Sequence, residues 1–456
     1  IILGLVFAPF YFRSKLTTLP EYVEKRYSSL TRTILGVIFI LSALLVHIGI
    51  SLYAGAKLMN EFFNIHVYWA IIIIAVVTAI YTVLGGLRAV MITNVVQVVI
   101  LLSGAVALTV LGMKELAVNG ITSFAQLKES VSPGIDPTVL QPVVNEATGL
   151  RNEFSWLCVI VGYPILGIWY WCTDQTIVQN ILAAKSEKDG RDGAIFGGFM
   201  KILPVFLMVF PGVIAYALYH DKIGTDHNSA LPVLMENLLP KGFLGLFSAG
   251  LLAALMSTVA AALNSTATLA SSDILKRIKP DTPDKTLVWV GRITAVVVIL
   301  LSMAWSTQGE RFGSIFEAIN KIPMRFAPAI TTSFLMGVFW KRGTKEAALT
   351  ALLLNMGVGI VYLLFDIPII GSTKIVAETW DLPFMLVGGI FFVMCLIAYI
   401  LVSLCTAAPS PEKLKDLVWQ HPLEFLTSGK IQGITDPRIM ALILLVVMIV
   451  LYAILG

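Results

Sequence analysis

Eleven apolar runs of about 20 residues, each enough to cross a bilayer as a helix, alternate along this chain with polar stretches. The runs lie near 34–58, 67–84, 90–113, 155–172, 196–219, 243–270, 287–305, 315–340, 346–365, 383–405 and 439–455. A partial run opens the chain at Ile1-Ile2-Leu3-Gly4 without Met or a charged leader, and it reads as the remainder of a longer N-terminal segment. Only 13% of the 456 residues are charged and 57% are hydrophobic, where a soluble domain carries about 25% charge. In hydrocarbon a helix satisfies its own backbone groups, so the expected class is an all-α polytopic membrane protein with about eleven full spans and a partial one.

The basic residues test that count. If alternate loops face one side, beginning with Arg13, Lys15, Lys25, Arg26 and Arg32, that side collects 20 of the 32 Lys and Arg. The opposite side collects seven, although its 114–153 and 220–241 loops are long. The rich side is expected to be cytoplasmic. Five cations, Lys57, Lys201, Arg292, Lys321 and Arg325, fall within or at the edge of spans. The net charge of +4 therefore reports topology rather than nucleic-acid binding. Cys158, Cys172, Cys395 and Cys405 stand singly, which argues against a disulfide scaffold or a cysteine metal site. There is no P-loop, no HExxH and no nucleophile elbow, and His47, His66, His220, His227 and His421 are scattered. No enzyme is expected. The 406–438 stretch, with Pro409-Ser410-Pro411, reads as a cytoplasmic surface connection.

Broken helices are where membrane carriers present backbone carbonyls to ions and solutes. Pro164 and Gly167 precede Trp169-Tyr170-Trp171, Pro204 and Pro211 punctuate the next span, and Pro323 and Pro328 interrupt 315–340. The three aromatics suit either an interfacial belt or stacking on the apolar face of a sugar ring. Ser257 and Thr258 follow Ala254 by three and four residues, so two hydroxyls and a carbonyl share a helix face. They are either part of a sodium shell of hard oxygens or small residues of a close helix contact. Glu317, Lys321 and Arg325 repeat every four residues, as an internal ion pair or as the lining of a polar cavity. Lys201 either snorkels or touches solute, and His47 is either a satisfied polar residue or a ligand.

Several stretches together resemble the sodium/solute symporter family, most closely its sodium/glucose cotransporter branch. They are Thr17-Thr18-Leu19-Pro20-Glu21-Tyr22, Ala54-Gly55-Ala56, Tyr81-Thr82-Val83-Leu84-Gly85-Gly86-Leu87, Trp169-Tyr170-Trp171-Cys172-Thr173-Asp174-Gln175, Leu182-Ala183-Ala184-Lys185, Leu263-Asn264-Ser265-Thr266-Ala267-Thr268 and Val338-Phe339-Trp340-Lys341-Arg342. The resemblance implies an inverted five-helix-repeat (LeuT-like) fold, N-terminally truncated by two helices and most of a third, including an unwound helix that completes the family's sodium site. By this likeness the chain truncated there would not transport by itself. It further implies one membrane transport domain over 1–456, with core helices within about 1–340 and peripheral helices within 346–456.

By the same resemblance Ala254, Ser257 and Thr258 hold sodium, Tyr170 covers the solute with Trp171 beside it, and Lys201 reaches its hydroxyls. Asn320 stands where sugar carriers have a glutamine, and His47 where they place Asn or Lys. The implied function is sodium-coupled uptake of a sugar or polyol across the plasma (inner) membrane. Sodium, a small solute and the lipid bilayer are the expected partners, and no nucleic acid. Asn94 replaces an aspartate of related carriers, and Ala260 and Ala261 replace hydroxyl residues, which implies one sodium per solute. Lys321, Pro323 and Arg325 depart from the sugar pattern, so an acidic sugar or another anion stays open, as does a sensor that binds sugar without uptake.

Overall fold

The computed structural model describes residues 1–131, 141–144, 149, 151–224, 226–309, 314–366, 376, 379–421, 423–427, 431 and 433–455, without the side chains of 83–91, 93, 363 and 455. The expected loop cations Arg88 (by its side chain), Arg311, Lys374 and Lys430, and the side chains of Val83 to Leu87, lie outside that description.

The described residues are almost wholly helical. In order the main helices are α1 (Leu3–Arg13), α2 (Leu19–Arg26), α3 (Ser29–Phe63), α4 (Val67–Val118), α5 (Trp156–Thr173), α6 (Gln175–Leu182) and α7 (Glu187–Ile223). They continue as α8 (Lys241–Ile278), α9 (Asp284–Ser306), α10 (Ile315–Arg325), α11 (Ala327–Phe339), α12 (Lys345–Asp366), α13 (Phe384–Cys405) and α14 (Pro437–Leu455). Nine helices among the described residues are long and apolar enough to cross a membrane, and α10 and α11, bent by 55°, make a tenth span. Their starts follow from sequence chemistry. Ser28, Ser155, Ser186 and Ser314 each accept an amide hydrogen bond from three residues on, which satisfies a donor that helix geometry leaves orphaned.

The eleven-span expectation needs one correction. Spans 67–84 and 90–113 are not separated by a loop; they are the two ends of α4, 52 residues long and about 78 Å at 1.5 Å per residue. The expected break rested on Gly85-Gly86, and an interior glycine costs only about 1 kcal/mol relative to alanine. No proline stands within α4 to remove a backbone donor.

Three apolar clusters hold the bundle together. One joins α1, α2, α5, α11 and α13 through Phe10, Tyr22, Trp169, Phe334 and Phe384. A second joins α3, α4, α8 and α9 through Leu52, Ile74, Val259 and Val298. A third gathers α4, α7 and the start of α8 around Leu108, Ile214 and Phe247. The outer faces of α4, α9, α13 and α14 expose Val99, Trp289, Leu401 and Ile449, an arrangement suited to lipid and unsuited to water.

The 406–438 stretch is more than a surface connection. Leu417, Val418 and Trp419 are buried, the Trp419 amide donates to the Val338 carbonyl at 2.9 Å, and its ring lies 5.9 Å from Phe10. An indole cannot stay in water at low cost when an aromatic cleft is open beside it.

Candidate functional site

Helix α5 carries Pro164 in its interior and ends in a π-helical turn, Ile168–Thr173. Proline removes one intrahelical donor and crowds the preceding turn; a π turn widens the helix and re-aims its side chains. The Thr331 hydroxyl on α11 donates to the Ile165 carbonyl at 3.1 Å beside the break. The turn swings Trp169 inward, fully buried, and leaves Trp171 39% exposed. Tyr170 sits between them, its ring 5.9 Å from Trp169 and 4.9 Å from Trp171, edge to face with the latter.

Two other interruptions bring partners to these rings. A π turn in α3, Ala43–Ile48, presents His47, whose ring lies 5.8 Å from Tyr170 and is stacked 6.5 Å from Trp169. In α7 the regular helix stops at Met200, before Pro204, and Lys201 Nζ stands 4.8 Å over the face of Trp171, a cation–π geometry. Four sequence candidates thus stand in one row of contacts, His47 against Tyr170, Tyr170 against Trp171 and Trp171 under Lys201, running from the buried His47 to the exposed Trp171 and Lys201. His47 Nε2 is 3.2 Å from Asp174 Oδ2, both residues buried. Asp174 is a residue that sequence reasoning quoted without a role. Its signal was available, since an Asp before Gln175 to Leu182 is an N-cap, and its Oδ1 does accept the Thr176 amide at 2.8 Å.

Asn320 is placed differently. It is 9% exposed on α10, and its Nδ2 donates to the Phe316 carbonyl of its own helix at 2.7 Å. Phe326, at the bend between α10 and α11, lies 5.4 Å from Trp169, and α10 packs Ala318 and Ile322 against Val46 and Ile50.

The three expected sodium ligands lie half-buried on α8. Thr258 Oγ1 is 3.2 Å from the Ala254 carbonyl, so two hard oxygens share a face as their spacing requires. The same helix is tied to the segment after the aromatic turn, because Gln179 Nε2 donates to the Ala261 carbonyl at 3.1 Å. Asn94 has a buried Oδ1 with no hydrogen-bond partner among the described residues, and Ala260 is fully buried.

On α10 the lysine is matched by carboxylates and the arginine is held by a carbonyl and a ring. Lys321 pairs with Glu317 one turn back and with Glu153 Oε1 at 3.2 Å, and its ammonium stands 5.6 Å from the Phe384 ring centre. The Arg325 guanidinium bonds to the Lys321 carbonyl and lies 4.9 Å over Tyr362. Of the two readings left open, the ion pair is present.

A model of the sodium:solute symporter family matches residues 1–355. The chain belongs to that family. It is 31% identical over 452 residues to "Sodium/myo-inositol cotransporter 2" of Mus musculus, covering 92% of this chain and 66% of that protein. A sodium/mannose cotransporter of Bos taurus is 32% identical, with 80% and 65% covered. Sodium/glucose cotransporter 4 of Danio rerio is 33% identical, with 92% and 68% covered. The chain thus spans about two thirds of the length of the relatives it matches, 66% for the myo-inositol cotransporter. Among solved structures, a substrate-bound, outward-open Na+-coupled sialic acid symporter superposes with a TM-score of 0.71 at 20% identity, over 90% of this chain and 81% of that one. The fold is therefore the inverted-repeat sodium symporter fold expected from the motifs.

Proposed function

We propose that the protein is a sodium-coupled secondary carrier that takes up a neutral sugar or polyol across the plasma membrane by alternating access. The observation that carries the reading is the convergence of Tyr170, Trp171 and Lys201 at a proline-broken helix. Flat rings offer faces to the apolar side of a sugar, and an ammonium offers donors to its hydroxyls. The names of the relatives, cotransporters of myo-inositol, mannose and glucose, support the same class. Ala254, Ser257 and Thr258 supply oxygens to one sodium, completed by groups outside α8. The potential adds about 2.3 kcal/mol per charge per 100 mV, so one sodium drives modest accumulation.

An acidic solute is disfavoured by the α10 pairing, since Lys321 already meets two carboxylates. The test is uptake by the full-length protein in liposomes of labelled glucose, galactose, inositol and sialic acid, under an inward sodium gradient and with potassium replacing sodium. Sodium-dependent accumulation of a neutral solute is expected. Accumulation of sialic acid alone would reverse the solute class, and binding without accumulation of any solute would make the protein a sensor.

A further inference from the structure

Beneath the aromatic cover two titratable side chains are buried together. His47 is 4% and Asp174 2% exposed, with Nε2 and Oδ2 3.2 Å apart. Asp174 turns its other oxygen to the Thr176 amide at the start of α6. The imidazole lies nearly parallel to Trp169, at 25°, and tilted by 35° against Tyr170. A carboxylate at one edge and aromatic rings on the faces are surroundings that attract a cation. Imidazole is the side chain whose ordinary titration adds a positive charge between pH 5 and 8.

We propose that the His47–Asp174 pair binds a proton, and that this proton regulates the solute site by holding the Tyr170 ring against the imidazolium. The regulatory half rests on reading Tyr170 as the solute's cover. When the proton leaves, the charge-dependent part of the ring contact goes with it, and the cover is freer to move.

The other charged groups around His47 have their own partners or stand far along their helices. On α3, Arg32 and Lys57 are 15 and 10 residues away, about 22 and 15 Å of helix, and pair with Asp273 and Asp226. Glu61 and the Tyr53 phenol lie towards the Lys57 end of α3. The α8 segment packed on α3, Val259 to Leu263, has no titratable side chain. On α9, Ser302 and Trp305 bond to the Leu44 and Leu45 carbonyls, and its charges Asp284, Lys285 and Arg292 lie ten or more residues from Ser302. On α10, Glu317 and Lys321 pair with each other and Arg325 bonds to the Lys321 carbonyl. From α5 come the Tyr170 phenol and the Cys172 thiol, and α6 carries no titratable group. Asp174 is the charge that His47 meets.

The experiment is a pH titration by NMR of the full-length protein in lipid nanodiscs, labelled at histidine and tyrosine, with His47 and Tyr170 resonances assigned by loss in His47→Gln and Tyr170→Phe. His47 is expected to bind its proton at least ten times more tightly in the wild type than in Asp174→Asn, a shift of about one pH unit. Asparagine caps a helix as well as aspartate, so Asp174→Asn keeps the start of α6. Tyr170 resonances are expected to move over the same pH range as His47, and not in Asp174→Asn, the variant that serves also where His47→Gln fails to fold. Sodium-driven uptake in liposomes is expected to differ several-fold between pH 5.5 and 7.5 in the wild type and to be flat in Asp174→Asn.

A His47 titration unmoved by Asp174→Asn overturns the proton site, and Tyr170 resonances that ignore His47 overturn its coupling to the cover. Both are read without solute. Failure of sodium-dependent uptake with intact NMR coupling therefore overturns the carrier reading and the regulation that rests on it, but leaves the proton site standing. Robust uptake with a His47 titration that Asp174→Asn moves but Tyr170 ignores overturns the regulation alone and leaves the carrier reading and the proton site standing.

Discussion

At the scale of single residues, His47, Tyr170 and Trp171 are aimed by π turns, and Lys201 by the break that precedes another. Each interruption exchanges regular hydrogen bonding for a side-chain direction that 3.6 residues per turn does not provide. Tyr170 should matter by its ring more than its hydroxyl. Tyr170→Ala is expected to raise the half-saturating solute concentration about tenfold, the upper range of an aromatic contact, while Tyr170→Phe stays within about threefold; initial uptake rates against solute concentration read both. On α8, Thr258→Ala removes one of the two oxygens seen together. It should raise the half-saturating sodium concentration by about tenfold, the equivalent of one hydrogen-bond-sized interaction, with Thr258→Ser close to wild type. An unchanged sodium dependence in Thr258→Ala would remove this residue from the ion site.

At the scale of elements, the bend between α10 and α11 is held from outside. Phe326 has non-helical backbone angles between Pro323 and Pro328, and the freed Arg325 carbonyl accepts Asn355 Nδ2 at 2.6 Å. Gly359 on α12 lets that carbonyl approach, since a Cβ there would stand 2.6 Å from the Arg325 oxygen, whereas one at Gly357 would meet nothing within 4 Å. Gly359→Ala is therefore expected to destabilise by about 1–3 kcal/mol through overpacking. Gly357→Ala should be neutral or slightly stabilising. Thermal melting of the two variants side by side in one detergent separates a local clash from a general intolerance of α12.

A second holding device is Arg26, buried at the end of α2. Its guanidinium donates to the carbonyls of Gly337, Trp340 and Gly343 at 2.9–3.1 Å. The first two oxygens stand at the C-terminal end of α11, where a cation is favoured, and the third in the turn that follows. Arg26→Met leaves them unpaired, at about 1–3 kcal/mol for each group that water cannot reach, and is expected to lower the melting temperature far more than Gly359→Ala.

At the scale of the molecule, helices distant in sequence are joined across the bundle by polar links. One is the pair of Lys57 on α3 and Asp226 between α7 and α8, 2.7 Å apart. The Lys57 ammonium holds the Asp226 carboxyl below its usual range. A carboxyl lowered in the folded state adds stability that is complete above its unfolded value and lost as pH falls through the folded one. Wild type should therefore lose more stability than Asp226→Asn on going from pH 5 to 3, as read by thermal melting. The pair is partly exposed, so high salt should shrink the difference.

Length, apolarity and small motifs were enough to read the membrane class, the family and most of the span positions, because those properties are local or repeat along the chain. Four side chains of the proposed solute site, His47, Tyr170, Trp171 and Lys201, were named from the sequence as well. A family motif carried Tyr170 and Trp171, the wider likeness and their place inside spans pointed to His47 and Lys201, and the prolines marked where helices break. Asp174 as the partner of His47, the double pairing of Lys321, the burial of Arg26 and the docking of Trp419 were decided by tertiary structure alone. Each depends on which distant segment lies opposite, as with residues 47 and 174, which are 127 positions apart. Local spacing does not encode that distance. The continuous α4 belongs to the same group: a diglycine allows a turn without requiring one, and only the packed bundle selects between the two.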